Sequence, residues 1–312
     1  MLEHLIHKDI VSGGLEYLNT TKEVSSNFTS EDENSQIRFE NLLKNLGEPY
    51  FRGDKFAIYN GDCIKLMSMI PAGGIDLTFT SPPYNIGKEY ETILPMKEFL
   101  DWCVSWIEEL HRVTTVDGSF LLNVGYVSIP DRARAIPIPY LLWDRIPFYL
   151  QQEIVWNYGA GVAAKKFLSP RNEKILWYVK NFEKYCFNLD EIRDPDVAYP
   201  NQKKKGKLRC NTIGKNPSDV WQIAKVTSGA GRSSSERTAH PAQFPLDLCE
   251  RAIKGFSSPN GIVLDPFLGS GSTIDACIRW GRYSIGFEIR EDYCEVAKNR
   301  LLEQMNNRTS LF

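Results

Sequence analysis

Residues 262–273 read Ile262-Val-Leu-Asp-Pro-Phe-Leu-Gly-Ser-Gly-Ser-Thr273, an apolar strand that runs through a glycine turn into a helix. Small residues let the backbone turn tightly and approach a ligand, and the N-terminus of the helix offers free N–H donors. The stretch lacks both the P-loop pattern and a full G-x-G-x-x-G. Glu288 ends the next predicted strand, 17 residues after Gly271, a spacing that suits a carboxylate accepting both ribose hydroxyls. We therefore expect a nucleoside-type cofactor here rather than a turn that needs glycine for geometry alone.

Strands and helices alternate on both sides of this turn. The apolar pattern predicts strands over 56–59, 75–80, 119–124, 152–157 and 173–180, with helices over 63–70, 96–115 and 245–254. After the turn it predicts a helix over 272–280, a strand over 283–288 and a helix over 291–303. Such alternation indicates βαβ units and a mostly parallel sheet, which is the α/β class.

Composition excludes several kinds of protein. The 312 residues are 42% hydrophobic and 24% charged, which is typical of a globular chain and excludes a mainly disordered or fibrous one. Seven scattered cysteines form no C-x-x-C pair, so we expect reduced, mostly buried side chains. No signal peptide and no bilayer-spanning apolar stretch is evident, so we expect a cytoplasmic protein without a membrane partner.

Charge is unevenly distributed although the formal net charge is only −2. Residues 1–50 hold 4 Lys and Arg against 9 Asp and Glu, whereas residues 165–215 hold 13 against 6. Only the second segment could neutralise phosphates. Within 20–36 the chain is polar and acidic, which predicts a mobile linker.

A second motif, Ser81-Pro82-Pro83-Tyr84, follows the predicted strand 75–80. Ligands of open parallel sheets bind at the carboxyl ends of the strands. Two prolines fix φ and remove two N–H donors, which leaves a rigid corner that presents a hydroxyl, carbonyls and an aromatic ring. Such a corner suits a planar base with an exocyclic amine, because acceptors can hold the amine hydrogens while Tyr84 stacks on the ring. Alone, the motif is equally compatible with a turn that only ends a strand.

Together the two motifs resemble those of the DNA amino-methyltransferases, which use S-adenosylmethionine as methyl donor. In that family [D/N/S]-P-P-[Y/F/W] is the catalytic motif and D-x-F-x-G-x-G the cofactor motif, and the residues from 81–84 and 265–271 match them. The catalytic motif comes first, as in the circularly permuted β group, whereas RNA and protein methyltransferases with N-P-P-Y normally have the reverse order. The matches, which include Arg171-x-Glu-x-Ile-Leu-Trp-Tyr178 and Asp219-Val-Trp221, cover about 56 to 303.

The resemblance implies a Rossmann-like methyltransferase fold with a mostly parallel, seven-stranded, circularly permuted sheet and an irregular target-recognition region. The expected catalytic residues are Ser81, Pro82, Pro83 and Tyr84. Asn60-Gly-Asp62 resembles the family's acidic motif, and His240-Pro-Ala-Gln-Phe-Pro245 resembles the segment that packs over the methionine end of the cofactor. The expected cofactor-binding residues are Asp62, Thr80, His240, Asp265, Phe267, Gly269, Gly271, Thr273 and Glu288.

The implied organisation has four parts. Residues 1–50 form an N-terminal extension with the acidic linker, 51–184 the catalytic half, 185–238 the target-recognition region and 239–312 the cofactor-binding half. The recognition region carries basic side chains that could hold DNA phosphates, although a solvated loop explains them too. These side chains belong to Lys203, Lys204, Lys205, Lys207 and Arg209.

The serine variant with His-Pro-Ala-x-Phe-Pro resembles the members that methylate cytosine N4 in double-stranded DNA, often within a restriction–modification system. We expect base flipping, then acceptance of the N4 hydrogens by the Ser81 hydroxyl and the Pro82 carbonyl. Neither a metal nor a covalent DNA intermediate is required. Methylation of cytosine C5 is disfavoured, because it needs a cysteine nucleophile, typically after proline, and none of the seven follows one.

Several alternatives stay open at this point. One is N6-adenine methylation by the same architecture, because either acceptor can serve either amine. Another is a catalytically silent cofactor-binding or DNA-binding module, and RNA or protein methylation is disfavoured by the motif order. His4, His7 and His111 show no metal-ligand spacing, and Trp102 and Trp106 are expected in the core. The resemblance also leaves open a homodimer and a cognate restriction endonuclease as partners.

Overall fold

The computed structural model describes residues 32–161, 163–226 and 234–309. Its helices are 32–46 (α1), Cys63–Met69 (α2), Met96–Val113 (α3), Pro139–Leu142 (α4), Leu246–Phe256 (α5), Ser272–Arg279 (α6) and Glu291–Thr309 (α7). Its strands are Phe51–Arg52 (β1), Phe56–Asn60 (β2), Ile75–Thr80 (β3), Thr114–Val124 (β4), Tyr126–Ile129 (β5), Ala133–Pro137 (β6), Tyr149–Asn157 (β7), Asn172–Val179 (β8), Lys203–Lys204 (β9), Lys207–Leu208 (β10), Val220–Gln222 (β11), Ile262–Asp265 (β12) and Tyr283–Glu288 (β13).

One large sheet organises these elements in the order β1-β2-β13-β12-β3-β4-β8-β7-β11. The five strands from β2 to β4 in that order are parallel, while β8 is antiparallel to both of its neighbours. Strands β12 and β13 come from the end of the chain, yet they lie between β2 and β3 from its beginning. The turns after β2, β3, β12 and β13 therefore meet at one edge, as expected for carboxyl ends of parallel strands.

The sheet has nine strands instead of the predicted seven. The two additional strands, β1 and β11, have two and three residues and lie at opposite edges. Segments of two or three residues are too short to show a periodic sequence pattern. These strands are therefore recognised only by their pairing with neighbouring strands in the structure. Strand β11 also brings regular structure into 185–238, where the sequence predicts an irregular region. That region further contains a 3₁₀ helix at Leu189–Ile192 and the β9–β10 hairpin.

Helix α1 corrects the prediction of a mobile linker over 20–36. Residues 20–31 lie outside the described residues, but residues 32–36 form the N-terminal part of helix α1. The helix buries Phe39, Leu42, Leu43 and Leu46 in the main core, at a spacing that puts them on one face. It ends at Gly47, whose φ of +79° fits the left-handed position after a helix. Helix α1 is therefore packed against the main core of the fold.

Two large apolar clusters cover the two faces of the sheet. One contains Phe120 with the buried side of α3, including Trp106, and the other contains Phe79 with residues of α5 and α6. Five of the seven cysteines are buried and all seven are free thiols, as predicted. Among the described residues, no helix is long and apolar enough to cross a bilayer.

Candidate active site

A cavity of about 920 Å³ opens at the carboxyl edge of the parallel strands. Its wall includes the Ser81–Tyr84 corner after β3, the 265–273 turn after β12 and Glu288 at the end of β13. Asp62, just beyond β2, also lines it. The two motifs, which lie about 180 residues apart in the chain, thus share one wall because β12 pairs with β3.

The glycine turn is tight, as its sequence predicts. Gly269 and Gly271 have φ of +52° and +78°, a region that side-chain-bearing residues rarely adopt. The Gly269 N–H donates to Glu288 Oε2 at 2.9 Å, and the Arg290 N–H donates to Glu288 Oε1 at 2.9 Å. Burial raises the pKa of Glu288 above its usual value. This carboxylate therefore fixes the turn while it lines the cavity.

Asp265 lies behind the turn and joins the two motifs. Its Oδ1 accepts from the Thr80 hydroxyl at 2.6 Å and its Oδ2 from the Thr273 hydroxyl at 2.7 Å. Asp265 is 3% exposed, and desolvation raises its pKa to about 6. Thr80 and Thr273, which the sequence places among the cofactor-binding residues, thus make their hydrogen bonds to Asp265.

His240 packs directly over the glycine turn. A Cβ added at Gly269 would lie 2.9 Å from the imidazole, so only glycine leaves room for this contact. The ring stacks near Tyr90 at 5.9 Å between centroids and meets Tyr293 edge-on at 4.4 Å. Burial lowers the pKa of His240 to about 4, so the imidazole is neutral at physiological pH.

Asp62 and Phe267 also border the cavity, whereas the predicted cofactor residues Thr80 and Gly271 are not among the residues that line it. Asp62 caps helix α2 by accepting from the Lys65 N–H at 3.0 Å, which leaves its second oxygen without a bond in that cap. Phe267 packs edge-on against both Trp102 and Trp106. Trp106 is fully buried, as predicted, whereas Trp102 is half-buried and reaches the cavity wall.

The Ser81–Tyr84 corner is held by a polar network that sequence reasoning left unassigned. The Ser81 Oγ lies 2.8 Å from the Tyr84 hydroxyl, which donates to Glu173 Oε2 at 3.1 Å. Asn123 Nδ2 donates to the Tyr84 hydroxyl at 2.7 Å and to Glu173 Oε2 at 2.8 Å. Burial and the neighbouring Glu173 charge raise the pKa of Tyr84, so its phenol stays protonated.

This network determines which way the Ser81 hydroxyl points. A phenol has one hydrogen, and a carboxylate is a stronger acceptor than a hydroxyl, so the Tyr84 hydrogen goes to Glu173. The Ser81 hydroxyl must then donate to Tyr84. The Ser81 oxygen is then left as an acceptor beside the cavity, where Asn123 Nδ2 is a distant donor to it at 3.5 Å.

Two further residues complete this wall. The Lys225 ammonium pairs with Glu173 Oε1 at 2.5 Å and lies 3.8 Å from the centre of the Tyr158 ring. Glu91 accepts the Tyr84 N–H at 2.7 Å and also accepts from the N–H groups of residues 86–88. Its carboxylate thereby satisfies the backbone donors that follow the two prolines.

The predicted phosphate-binding residues lie on the β9–β10 hairpin, outside the cavity wall. Lys205 and Gly206 form its turn with φ of +51° and +80°. Arg209 closes the hairpin through its N–H, which donates to the Gln202 carbonyl at 2.8 Å. All five basic residues are exposed, so the hairpin presents a compact positive surface.

Metal-binding groups are absent from the described residues, in which no three His, Cys, Asp or Glu side chains cluster suitably. His111 packs edge-on against Phe148 at 4.8 Å between centroids, and burial lowers its pKa. His4 and His7 lie outside the described residues.

Comparison with known proteins identifies the family of this chain. A family model described as DNA methylase matches residues 75–299. The Type II methyltransferase M.ScaI of Streptomyces caespitosus is 55% identical over 88% of this chain and 91% of that protein. M.BglII of Bacillus subtilis is 36% identical over 86% and 77%. The DNA adenine methyltransferase YhdJ of Escherichia coli K12 is 34% identical over 80% and 84%.

Solved structures show the same fold. The PvuII DNA methyltransferase, named as cytosine-N4-specific, superposes with a TM-score of 0.64 at 22% identity, covering 81% of this chain and 88% of that one. M1.HpyAVI in complex with S-adenosylmethionine superposes with a TM-score of 0.52 at 25% identity, covering 79% and 98%.

The family match and the relatives together define the class of this protein as a cofactor-dependent methyltransferase. The chain belongs to the DNA methylase family, and its cofactor is S-adenosylmethionine. Its residues fit that group, because the glycine turn and two carboxylates, Glu288 and Asp62, line one cavity at the ends of the neighbouring strands β12, β13 and β2. DNA is the substrate expected of a relative of Type II modification enzymes.

Proposed function

We propose that the protein methylates the N4 amine of cytosine at a specific site in double-stranded DNA, as the modification enzyme of a restriction–modification system in the cytoplasm. The observation that carries this proposal is the shared cavity of the Ser81–Tyr84 corner and the glycine turn. One compartment can thereby hold a methyl donor and an extruded base together. The position of β12 and β13 between β2 and β3 supports the circularly permuted arrangement of the β group.

Each residue of the corner has a role in this proposal. S-adenosylmethionine, when bound, supplies a methyl group activated by a sulfonium. Tyr84 stacks on the extruded base, while the Ser81 oxygen and the Pro82 carbonyl accept the two amine hydrogens. Acceptance of these hydrogens draws the amine toward a tetrahedral shape and orients its lone pair for transfer. Catalysis then rests mainly on positioning.

On the cofactor side, we assign contacts along the wall from β2 to β13. Asp62 and Glu288 would accept hydrogen bonds from the nucleoside part, and Phe267 would contact its base. His240, neutral and packed on Gly269, would cover the methionine end. Thr80, Asp265 and Thr273 would act indirectly, by holding the turn in place.

We favour cytosine over adenine because of the Lys225 ammonium on the wall that contains Ser81 and Tyr84. Next to its amine, cytosine carries two acceptors in succession, N3 and O2, whereas adenine carries N1 and then a C–H. The Lys225 ammonium beside Glu173 and Tyr158 is a donor suited to the second acceptor of cytosine. The cytosine-N4 specificity in the name of the PvuII enzyme points the same way. The adenine specificity named for YhdJ makes N6-adenine methylation the second candidate.

Expression of the chain in a host without restriction–modification systems tests the proposal. Methylation-sensitive sequencing of the host DNA would give the site, and mass analysis of its nucleosides would give the base. We expect N4-methylcytosine at one short sequence. N6-methyladenine would establish the second candidate, and unmodified DNA from cells that hold folded protein would contradict both.

A further inference from the structure

The tip of the β7–β8 loop, residues 164–169, is an exposed segment in which two apolar residues, Phe167 and Leu168, line the cavity. The Ala164 N–H donates to the Ser169 hydroxyl at 2.9 Å and closes the tip. Residues 165–168 between them are all exposed. Leu168 is 94% exposed, and both Phe167 and Leu168 line the cavity that contains Ser81.

The tip is braced rather than free. The Arg134 guanidinium, from β6, lies 4.4 Å from the centre of the Phe167 ring. At the base of the loop, the Tyr158 N–H donates to the Arg171 carbonyl at 3.0 Å. Phe167 is thereby anchored on the protein, while its neighbour Leu168 points an almost fully exposed apolar side chain outward.

Charge around this tip matches a nucleic acid. Lys165 and Lys166 precede Phe167 within the tip, both exposed, and Arg134 lies beneath it. An apolar side chain flanked by cations suits a duplex, in which phosphates border a stack of apolar base faces. A protein-binding surface of this size would more commonly have a larger apolar centre than a single leucine.

We propose that Leu168 inserts into the DNA stack and occupies the gap left by the extruded base, with Lys165 and Lys166 on the adjoining phosphates. The inference rests on the proposed function, since it requires a base to leave the duplex. Unstacking a base is unfavourable, and apolar side chains that enter base steps offset this cost in other DNA-binding proteins. Leu168 would thus favour extrusion without contacting the reacting amine.

The variant Leu168→Ala tests this role on duplexes that contain the site found by sequencing. Val116→Ala is the matched control, because Val116 is a 60% exposed apolar residue near the amino end of β4, away from the cavity. The readouts are kcat/KM for methyl transfer and the fluorescence of a 2-aminopurine placed next to the target base. Each is measured on a fully paired duplex and on one with an abasic site opposite the target.

With the paired duplex, we expect Leu168→Ala to lower kcat/KM by about tenfold or more. The increase in 2-aminopurine fluorescence on binding should be reduced by a similar factor, and cofactor affinity should be unchanged. The abasic duplex should reduce that defect to about twofold, because its target base is already weakly held. The control should match wild type throughout. A Leu168→Ala protein that matches wild type on paired DNA, or is equally impaired on both duplexes, would overturn the role of Leu168. A wild-type protein that methylates neither duplex would instead overturn the proposed function.

Discussion

Replacement of Gly125 by alanine should disable the Ser81–Tyr84 corner without unfolding the protein. Gly125 follows β4, and a Cβ there would lie 2.8 Å from Cε2 and 2.9 Å from Cδ2 of the Tyr84 ring. Carbon atoms pack at roughly 3.5–4.0 Å, so the ring must retreat by about 1 Å. That movement would break the 2.8 Å contact between the Tyr84 and Ser81 hydroxyls.

A misplacement of about 1 Å at a reacting group costs on the order of 100-fold in rate, or about 2.7 kcal/mol of activation free energy. Single-turnover transfer of labelled methyl measures this rate, and equilibrium titration measures cofactor affinity, which should stay within about twofold of wild type. In a Tyr84→Ala background, Gly125→Ala should add little further loss, because the clashing ring is gone.

Gly118→Ala is the matched control, since Gly118 lies on β4 and its Cβ would meet Thr114 Cγ2 at 2.6 Å, far from the corner. We expect it to lower stability by roughly 1–3 kcal/mol while folded protein keeps its activity. Methyl transfer by Gly125→Ala at the wild-type rate would show that a Cβ at this position does not displace Tyr84. An equally large loss from Gly125→Ala in the Tyr84→Ala background would show that the loss does not act through the Tyr84 ring.

Three further predictions concern the corner, the hairpin and the buried acid. Ser81→Ala and Tyr84→Ala proteins should bind the cofactor normally and lose methyl transfer, as measured with labelled donor. Alanine at all five basic residues of the β9–β10 hairpin should flatten the dependence of log DNA affinity on log salt, since each lost phosphate contact lowers the slope by about 0.9. Folded Asp265 keeps its proton up to a pKa of about 6 whereas the unfolded side chain loses it near 3.8, so wild-type stability should fall as pH rises through this window. Chemical denaturation measures the free energy of unfolding. Between pH 3.5 and 7 it should fall by about 3 kcal/mol more for wild type than for Asp265→Asn.

Each of these predictions has a contrary result. Near-wild-type methylation by both corner variants would remove Ser81 and Tyr84 from the mechanism. An unchanged salt slope would show that the hairpin charges do not contact phosphates. Parallel pH profiles for wild type and Asp265→Asn would show that Asp265 titrates normally in the folded protein.

Local sequence patterns were sufficient to predict the limits of the strand that precedes Ser81 and of the strand that ends at Glu288. Strands β3 and β13 have the predicted limits, 75–80 and 283–288. In both, large apolar residues alternate with polar or small ones, which is the period of a strand, and the pattern stops at Ser81-Pro82 or at Glu288. Helix α1 shows the opposite case. Its acidic first turn suggests a linker, but the spacing of Phe39, Leu42, Leu43 and Leu46 already describes a helix with one buried face.

The supporting network of the active site could not be predicted in the same way. Glu173 stands within Arg171-x-Glu, a segment that the sequence identifies without assigning a role. Its contact with Tyr84 depends on the antiparallel pairing of β4 with β8, and its partner Lys225 arrives only after β11 joins the sheet. Pairings between segments more than 50 residues apart leave no local pattern. The motif residues are thus readable from sequence, whereas the residues that orient them require the fold.

The central claim is that one cavity brings an extruded cytosine to the methyl donor. A crystal structure of the protein with a non-transferring cofactor analogue and a duplex containing its site would measure this directly. We expect the cytosine N4 within hydrogen-bonding distance of the Ser81 oxygen, with the analogue along the Gly269–Gly271 turn. A target base that remains stacked in the duplex, or one bound away from Ser81, would contradict the account.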